Sequence, residues 1–237
     1  QMYTILPFEK DFYENKHNYP VHYVGHPLLD AIESFKKNQS IDFKEVYGLD
    51  DRPIIALLPG SRKQEISKLL TEMLRIVDSY PQFQFIIAGA PSLNADFYKP
   101  FIKQENVQLI LNDTYNLLNN SYAAIVTSGT ATLETALFNV PQVVVYKGNE
   151  ISYQIAKRVI KLKYISLVNL IMDEQIVTEL IQKECNTATI KKEFDKVINN
   201  LDRSKMLAKY HKLSELLGGG GASERVINII KKTLRPF

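Results

Sequence analysis

Two short stretches of the sequence combine glycine with hydroxyl and charged side chains in a spacing suited to holding an anion. The first is Pro59-Gly60-Ser61-Arg62, directly after the apolar run 54–58. The second is Thr127-Ser128-Gly129-Thr130-Ala131-Thr132-Leu133-Glu134, directly after the apolar run 123–126. A strand that breaks at glycine and passes into a helix leaves free backbone N–H groups and the positive end of a helix dipole at the turn, which together favour phosphate. In the first stretch Ser61 is placed to cap the helix, with Gln64 as capping-box partner. Arg62 adds a planar guanidinium fork. In the second, Glu134 lies one helical turn beyond Thr130, where a carboxylate can accept both hydroxyls of a ribose. Each stretch also has a plainer reading: a strand–turn–helix with a surface arginine, and a first-turn glutamate favoured by the dipole.

Further candidates lie downstream. In Lys163-Tyr164-Ile165-Ser166-Leu167-Val168-Asn169-Leu170, Asn169 stands in an apolar context. It either hydrogen-bonds a base or phosphate or is a turn residue before a helix at 173. Glu179 and Gln182 are three apart, on one face of a helix expected over 173–183, and either address a sugar or are solvated. Lys147, Lys157, Arg158, Lys161 and Lys163 interleave with Ile151, Tyr153, Ile155, Val159 and Ile160. That pattern suits a helix lying on an anionic membrane surface, and equally a solvated face beside a core-facing one. His22, His26 and His211 have no ligand spacing, so no metal site is expected. Neither GxGxxG nor a Walker A sequence occurs, which argues against a dinucleotide cofactor and P-loop hydrolysis.

The elements that must carry these groups alternate. Strand-like runs at 54–58, 83–88, 107–111, 123–127 and 142–146 are separated by helical patterns at 64–79, 94–103, 114–120 and 131–138. Short Gly/Pro turns join them, as in a mostly parallel sheet of βαβ units. Such sheets bind ligands at the carboxyl ends of their strands, where both anion-binding turns fall. Upstream, 3–6 and 21–24 read as strands, and 8–15, 28–35 and 43–47 as helices. After residue 146 the chain reads as largely helical, over about 150–161, 173–183, 187–199, 203–217 and 222–233. An extended piece interrupts it at 164–167, and the four glycines 218–221 make a flexible break.

With 237 residues and 45% apolar content the chain can build a sizeable core. The 29 basic and 26 acidic residues leave a charge of +3, too mild to argue for nucleic acid. Its one cysteine, Cys185, excludes a disulfide framework within the chain and reads as a packed small residue suited to a reducing cytosol. No apolar run approaches the ~18 residues needed to span a bilayer. The sequence opens on Gln1 within a strand-like run, which reads as the interior of a longer protein.

The ordered segments ILPFEKDFY (5–13), VGHPLLD (24–30), LLPGSRKQEI (57–66), SGTATLE (128–134), PQVVVYK (141–147), KYISLVNLI (163–171) and ELIQKEC (179–185) resemble the lipid-A-disaccharide synthases, glycosyltransferases of the two-Rossmann GT-B type. The resemblance runs to about residue 185 and more loosely through the tail, which departs most visibly at 218–223. It implies the donor-binding half of an enzyme that joins UDP-2,3-diacylglucosamine to 2,3-diacylglucosamine 1-phosphate (lipid X), with no cofactor. The implied domains are the end of an acceptor domain and linker over 1–45, a UDP-sugar-binding Rossmann-like domain over 46–185, and a helical tail over 186–237. It also implies that Gly60, Ser61 and Arg62 face the diphosphate and that Ser128, Gly129, Thr130 and Glu134 line the donor pocket, with Glu134 on the ribose. Asn169, Glu179 and Gln182 match family positions near the donor, and Arg62 and Asn169 carry the catalytic expectation. The general base is expected in an N-terminal domain preceding Gln1, so this length of chain is expected to bind donor but to turn over poorly. Peripheral association with the cytoplasmic side of a Gram-negative inner membrane is expected, as is a possible homodimer, since members can exchange C-terminal segments. Two other classes stay open: a related UDP-sugar enzyme, such as a UDP-N-acetylglucosamine 2-epimerase or the peptidoglycan N-acetylglucosaminyltransferase, and a non-enzymatic nucleotide-binding or membrane-surface module.

Overall fold

The computed structural model describes residues 1–38, 41–148 and 163–234. Contacts divide the chain into two compact units, one of residues 1–40 with 210–237 and one of residues 41–209.

Among the described residues the larger unit is a six-stranded, all-parallel sheet flanked by helices. In chain order it holds α3 (Phe43–Tyr47), β3 (Ile54–Leu58), α4 (Lys63–Leu74), β4 (Gln84–Gly89), α5 (Ala95–Tyr98), β5 (Val107–Leu111), α6 (Thr114–Asn119), β6 (Ser121–Thr127), α7 (Thr130–Leu137) and β7 (Gln142–Tyr146). After the undescribed stretch come α8 (Leu167–Met172), β8 (Glu179–Ile181) and α9 (Thr187–Ile198). The strand order is β5-β4-β3-β6-β7-β8. The chain therefore builds outward from β3 to β5, returns to lay β6 beside β3, and builds outward again. That reversal is a topological switch point, and it opens a crevice at the carboxyl ends of β3 and β6.

Burial explains why these segments form. All five residues of β3 and all six of β4 are buried, as central parallel strands covered on both faces require. Helix α4 turns Ile66, Leu69, Leu70, Met73 and Leu74 inward, a single stripe at i, i+3, i+4, i+7, i+8. Ile190 and Phe194 of α9 join the same core, the Phe194 ring lying against those of Tyr80 and Phe85.

Several boundaries differ from the sequence reading. The helix expected over 94–103 ends at Tyr98, because Pro100 has no N–H to give the Asp96 carbonyl and its ring would clash with that carbonyl in a continued helix. The helix expected over 64–79 ends at Leu74 and closes in a 3₁₀ turn, Val77–Ser79, ahead of Pro81. The largest correction falls after residue 163. The expected extended piece at 164–167 runs into α8, whose N-cap Ser166 accepts a hydrogen bond from the Asn169 N–H. The expected helix over 173–183 is absent. Asp173 ends α8 in the left-handed conformation, and residues 179–181 pair parallel with β7 as an edge strand. The span expected to be helical at 150–161 lies outside the described residues.

The smaller unit pairs β1 (Tyr3–Thr4) with β2 (His22–Tyr23) in parallel. It adds α1 (Pro7–Asp11), which continues as a π-helical turn over Phe12–Lys16, α2 (Pro27–Asn38) and α11 (Ala222–Leu234). Arg225 ties the unit together, its Nε donating to the Val24 carbonyl at 2.7 Å. The Gly221 N–H donates to Asp30, and Tyr23 Oη donates to the Leu217 carbonyl at 3.1 Å. Leu217 ends α10 (Asn200–Leu217), the helix between α9 and the glycine run.

Candidate functional site: a cleft at the carboxyl ends of β3 and β6

The crevice at the switch point is a cleft of about 580 Å³. Its walls bring together Gly60, Ser61 and Arg62 from the first turn with Ser128, Gly129, Thr130 and Glu134 from the second. Glu65 of α4, residues 88–91 at the end of β4, Thr127 and Tyr146 are also among its walls.

Glycine is required in both turns. Gly60 sits at φ +110° and Gly129 at φ +150°, conformations that side chains with a Cβ rarely adopt. At Gly60 space is also short, since an added Cβ would stand 3.3 Å from Thr127 Cγ2. Each turn then delivers the start of a helix to the cleft. Ser61 does not cap α4. The N-cap is Arg62, in extended backbone conformation, and among the described residues no side chain caps the helix. The first N–H groups of α4 therefore stay available to an incoming anion. Helix α7 begins after Gly129, again with no side-chain hydrogen bond at its N-cap. Thr132 turns its hydroxyl back onto the Gly129 carbonyl at 2.8 Å. Two helix N-termini thus converge on one cleft, with the largely exposed Arg62 guanidinium beside them.

Glu134 is half-buried, one turn into α7. Its Oε1 accepts a hydrogen bond from Tyr115 Oη at 3.3 Å. Burial pushes the Glu134 carboxyl above the ordinary carboxylate range, and the Tyr115 hydrogen bond pulls the other way. Burial, together with the Glu134 charge, pushes the Tyr115 phenol up to about 12, so it stays a donor. The Tyr115 ring lies 5.2 Å from that of Phe138, which fixes its position. Tyr115 was not singled out by the sequence, because it belongs to neither turn and reaches Glu134 only through the fold.

The remaining candidates lie outside this cleft's lining. Asn169 is fully buried. Its Nδ2 donates to the Val177 carbonyl and to Glu179 Oε1, both at 2.9 Å, while Oδ1 accepts from the N–H groups of Ile176 at 2.8 Å and Val177 at 3.0 Å. An amide has two donors and two acceptor sites, so none is left for a base or phosphate. Glu179 is on β8, not on a helix face shared with Gln182. Its carboxylate accepts from the N–H groups of Ile165 and Ser166 at 2.9 Å, from Ser166 Oγ at 2.7 Å, and from Asn169. The network reaches the cleft at one point, where Ser128 Oγ donates to the Ile165 carbonyl at 2.8 Å. The single hydroxyl proton of Ser128 is thereby committed and cannot also be given to a phosphate. Gln182 stands at φ +53°, buried, with Oε1 accepting from the Gly148 N–H at 2.8 Å.

Of the basic residues expected on a membrane face, Lys157, Arg158 and Lys161 lie outside the described residues. Lys147 is turned inward, its Nζ 2.9 Å from Glu72 Oε1. Lys163 is exposed and pairs with Asp173 at 3.3 Å. A second opening, of about 610 Å³, lies between 174–178, Glu193, Lys196 and 202–209. Its charges are spent on the pairs Lys196–Glu193 at 2.8 Å, Lys209–Glu174 at 2.6 Å and Lys205–Asp202 at 3.7 Å, and the helix start nearest it, that of α10, carries the Asp202 carboxylate in its first turn. Among the described residues no group of three or more His, Cys, Asp or Glu is placed to hold a metal ion, and no helix is long and apolar enough to cross a membrane.

The family described as lipid-A-disaccharide synthetase matches residues 1–229. A lipid-A-disaccharide synthase of Coxiella burnetii is 37% identical over 97% of this chain and 61% of its own length. One from Geobacter metallireducens is 34% identical over 99% of this chain and 62% of its own. The chain thus spans somewhat under two thirds of these relatives. Among solved structures, a UDP-GlcNAc 2-epimerase from Neisseria meningitidis bound to UDP-GlcNAc matches with a TM-score of 0.63 at 19% identity, over 92% of this chain and 58% of the epimerase. At that identity the likeness is one of fold.

Proposed function

The chain belongs to the lipid-A-disaccharide synthetase family, and on that premise we propose that its larger unit is the donor-binding part of a glycosyltransferase of lipid A synthesis. The donor is a UDP-linked 2,3-diacylglucosamine, and the glucosaminyl group passes to the 6-hydroxyl of 2,3-diacylglucosamine 1-phosphate with release of UDP. Residues 46–185 form the donor domain in this reading.

The observation that supports it is the convergence of two uncapped helix starts and Arg62 on the cleft that also holds Glu134. The N–H groups of α4 and α7 and the Arg62 guanidinium receive the diphosphate. Because they are fixed before the bond breaks, they stabilise the charge that grows on the departing UDP. Glu134, as a carboxylate, accepts the ribose hydroxyls. The base that takes the acceptor proton is assigned to the N-terminal domain that the longer relatives have room for. The basic segment running to Lys163 is assigned to an anionic membrane surface on the cytoplasmic side, with Lys147 removed from it by its pair with Glu72.

Calorimetric titration with UDP tests the reading. Saturable binding, weakened by Arg62→Ala and by Glu134→Ala, is the expected result. Absence of UDP binding to both this chain and a full-length relative overturns it. A UDP-sugar epimerase is the second reading, favoured by the shared fold. Product analysis of a full-length relative with acylated and unacylated UDP-glucosamine separates the two, since only the transferase makes a disaccharide from the acylated donor.

A further inference from the structure

Arg62 is not free in the cleft. Its Nη1 lies 3.1 Å from Oε1 of Glu65, one turn further along α4. Both residues line the cleft. An i, i+3 ion pair on a helix surface is ordinarily a weak, solvated contact. This one differs in where its carboxylate sits. Arg62 is 81% exposed, but Glu65 is only 27% exposed. The second oxygen of Glu65, Oε2, is turned to the glycine turn, 3.5 Å from where a Cβ on Gly60 would stand. Among the described residues this oxygen takes no hydrogen bond. A carboxylate in the first turn of α4 also interacts favourably with the helix dipole. The cleft therefore already contains an anion, at the place where helix start, glycine turn and guanidinium meet.

We propose that Glu65 is the resident counter-ion of the cleft: it holds Arg62 across the start of α4 until a nucleoside diphosphate displaces it, and takes Arg62 back when that diphosphate leaves. The inference rests on the donor-cleft reading above. The physical reason is competition. The Glu65 carboxylate and a diphosphate seek the same guanidinium and the same helix end, and two anions held close together there repel. The exposed Arg62 side chain can exchange one partner for the other by rotating about its own bonds. The exchange lowers affinity for the diphosphate, which favours departure of the product nucleotide, and it keeps the guanidinium at the cleft between turnovers.

The test is UDP binding to wild type, Glu65→Gln, Arg62→Ala and the double variant, by calorimetry and by dissociation rate. The Gln variant is expected to bind UDP about three- to tenfold more tightly, with slower dissociation, since the diphosphate no longer has to take Arg62 from a competing carboxylate. In the Arg62→Ala background the same change is expected to gain less than about twofold, because the exchange acts through the guanidinium. Glu65→Asp retains the charge but withdraws it from Arg62, and an affinity between wild type and Gln is expected. It keeps the question open to measurement if the Gln variant folds poorly. Equal or weaker binding by Glu65→Gln, with Arg62→Ala still weakening UDP, overturns the counter-ion role and leaves the donor cleft standing. An undiminished gain in the Arg62→Ala background also overturns it, because Glu65 would then act by bare repulsion. No saturable binding to wild type overturns the inference along with the cleft assignment for this chain.

Discussion

The Asn169 amide and the Glu179 carboxylate meet at 2.9 Å across the turn at 173–178, and both are committed to holding the chain in shape. Between them they fix the backbone of Ile165, Ser166, Ile176 and Val177. Asn169→Ala leaves the N–H and the carbonyl of Val177 and part of a carboxylate without their partner, while the Ile176 N–H keeps the Glu174 carbonyl at 3.0 Å. The expected cost is about 3 kcal/mol of folding stability, read from urea unfolding. If Asn169 instead touched the donor, the Ala variant would lose UDP affinity at an unchanged unfolding midpoint.

The two glycine turns separate backbone strain from crowding. Gly129→Ala meets nothing within 4 Å and pays only for its φ of +150°. Gly60→Ala pays for φ +110° and also presses on Thr127 at 3.3 Å. Each is expected to cost about 1–3 kcal/mol, with Gly60→Ala the larger, and each should weaken UDP binding by re-aiming a helix start. Thermal unfolding alongside UDP titration checks the ranking.

UDP affinity should fall as pH is lowered, and earlier than an ordinary carboxylate would dictate. Burial raises the folded-state value of Glu134 above its ordinary 4.5, so the ribose acceptor is protonated while exposed carboxylates are still charged. Tyr115→Phe removes the hydrogen bond that favours the charged form. Its loss of affinity should therefore begin at higher pH than in wild type. The linked effect on stability has the opposite sense: a raised carboxyl value favours the folded state at low pH, and that contribution is lost as pH rises from 4.5 through the folded value. Titrations of wild type and Tyr115→Phe across the acid range read both effects.

Glu72 supplies the contrasting case. Burial alone would push its carboxyl up, but the hydrogen bond and charge of Lys147, with Arg75 and Thr187, hold it below its ordinary 4.5. It therefore stabilises the fold above pH 4.5, and the contribution disappears as pH falls through the lowered value. Lys147→Met should destabilise the chain at neutral pH by about 1 kcal/mol, a figure kept small because the pair is partly solvated. The difference from wild type should vanish in acid, and binding to anionic vesicles should not change. Urea unfolding against pH and vesicle sedimentation test the two halves.

Much of the architecture can be read along the chain because it is local. Strands β3, β5 and β7 end where the apolar runs end, and α4 follows its stripe of Ile66, Leu69, Leu70 and Met73. Glycine in both anion-binding turns is equally local: at the φ values of Gly60 and Gly129 an ordinary side chain is excluded by its own backbone. Family membership belongs here too, being carried by ordered segments of sequence.

Neighbourhood is what the sequence leaves out. Leu58 and Val126 stand side by side only because β6 returns to pair with β3, and that pairing alone makes two separate turns into one cleft. The same holds for Tyr115 on Glu134, for the edge strand that takes Glu179 out of a helix, and for Lys147, drawn from a basic run into a pair with Glu72. Hydrophobic periodicity and turn chemistry report the conformation of a segment. They do not report which distant segment will satisfy its hydrogen bonds and charges, because that choice is made by the packing of the whole sheet.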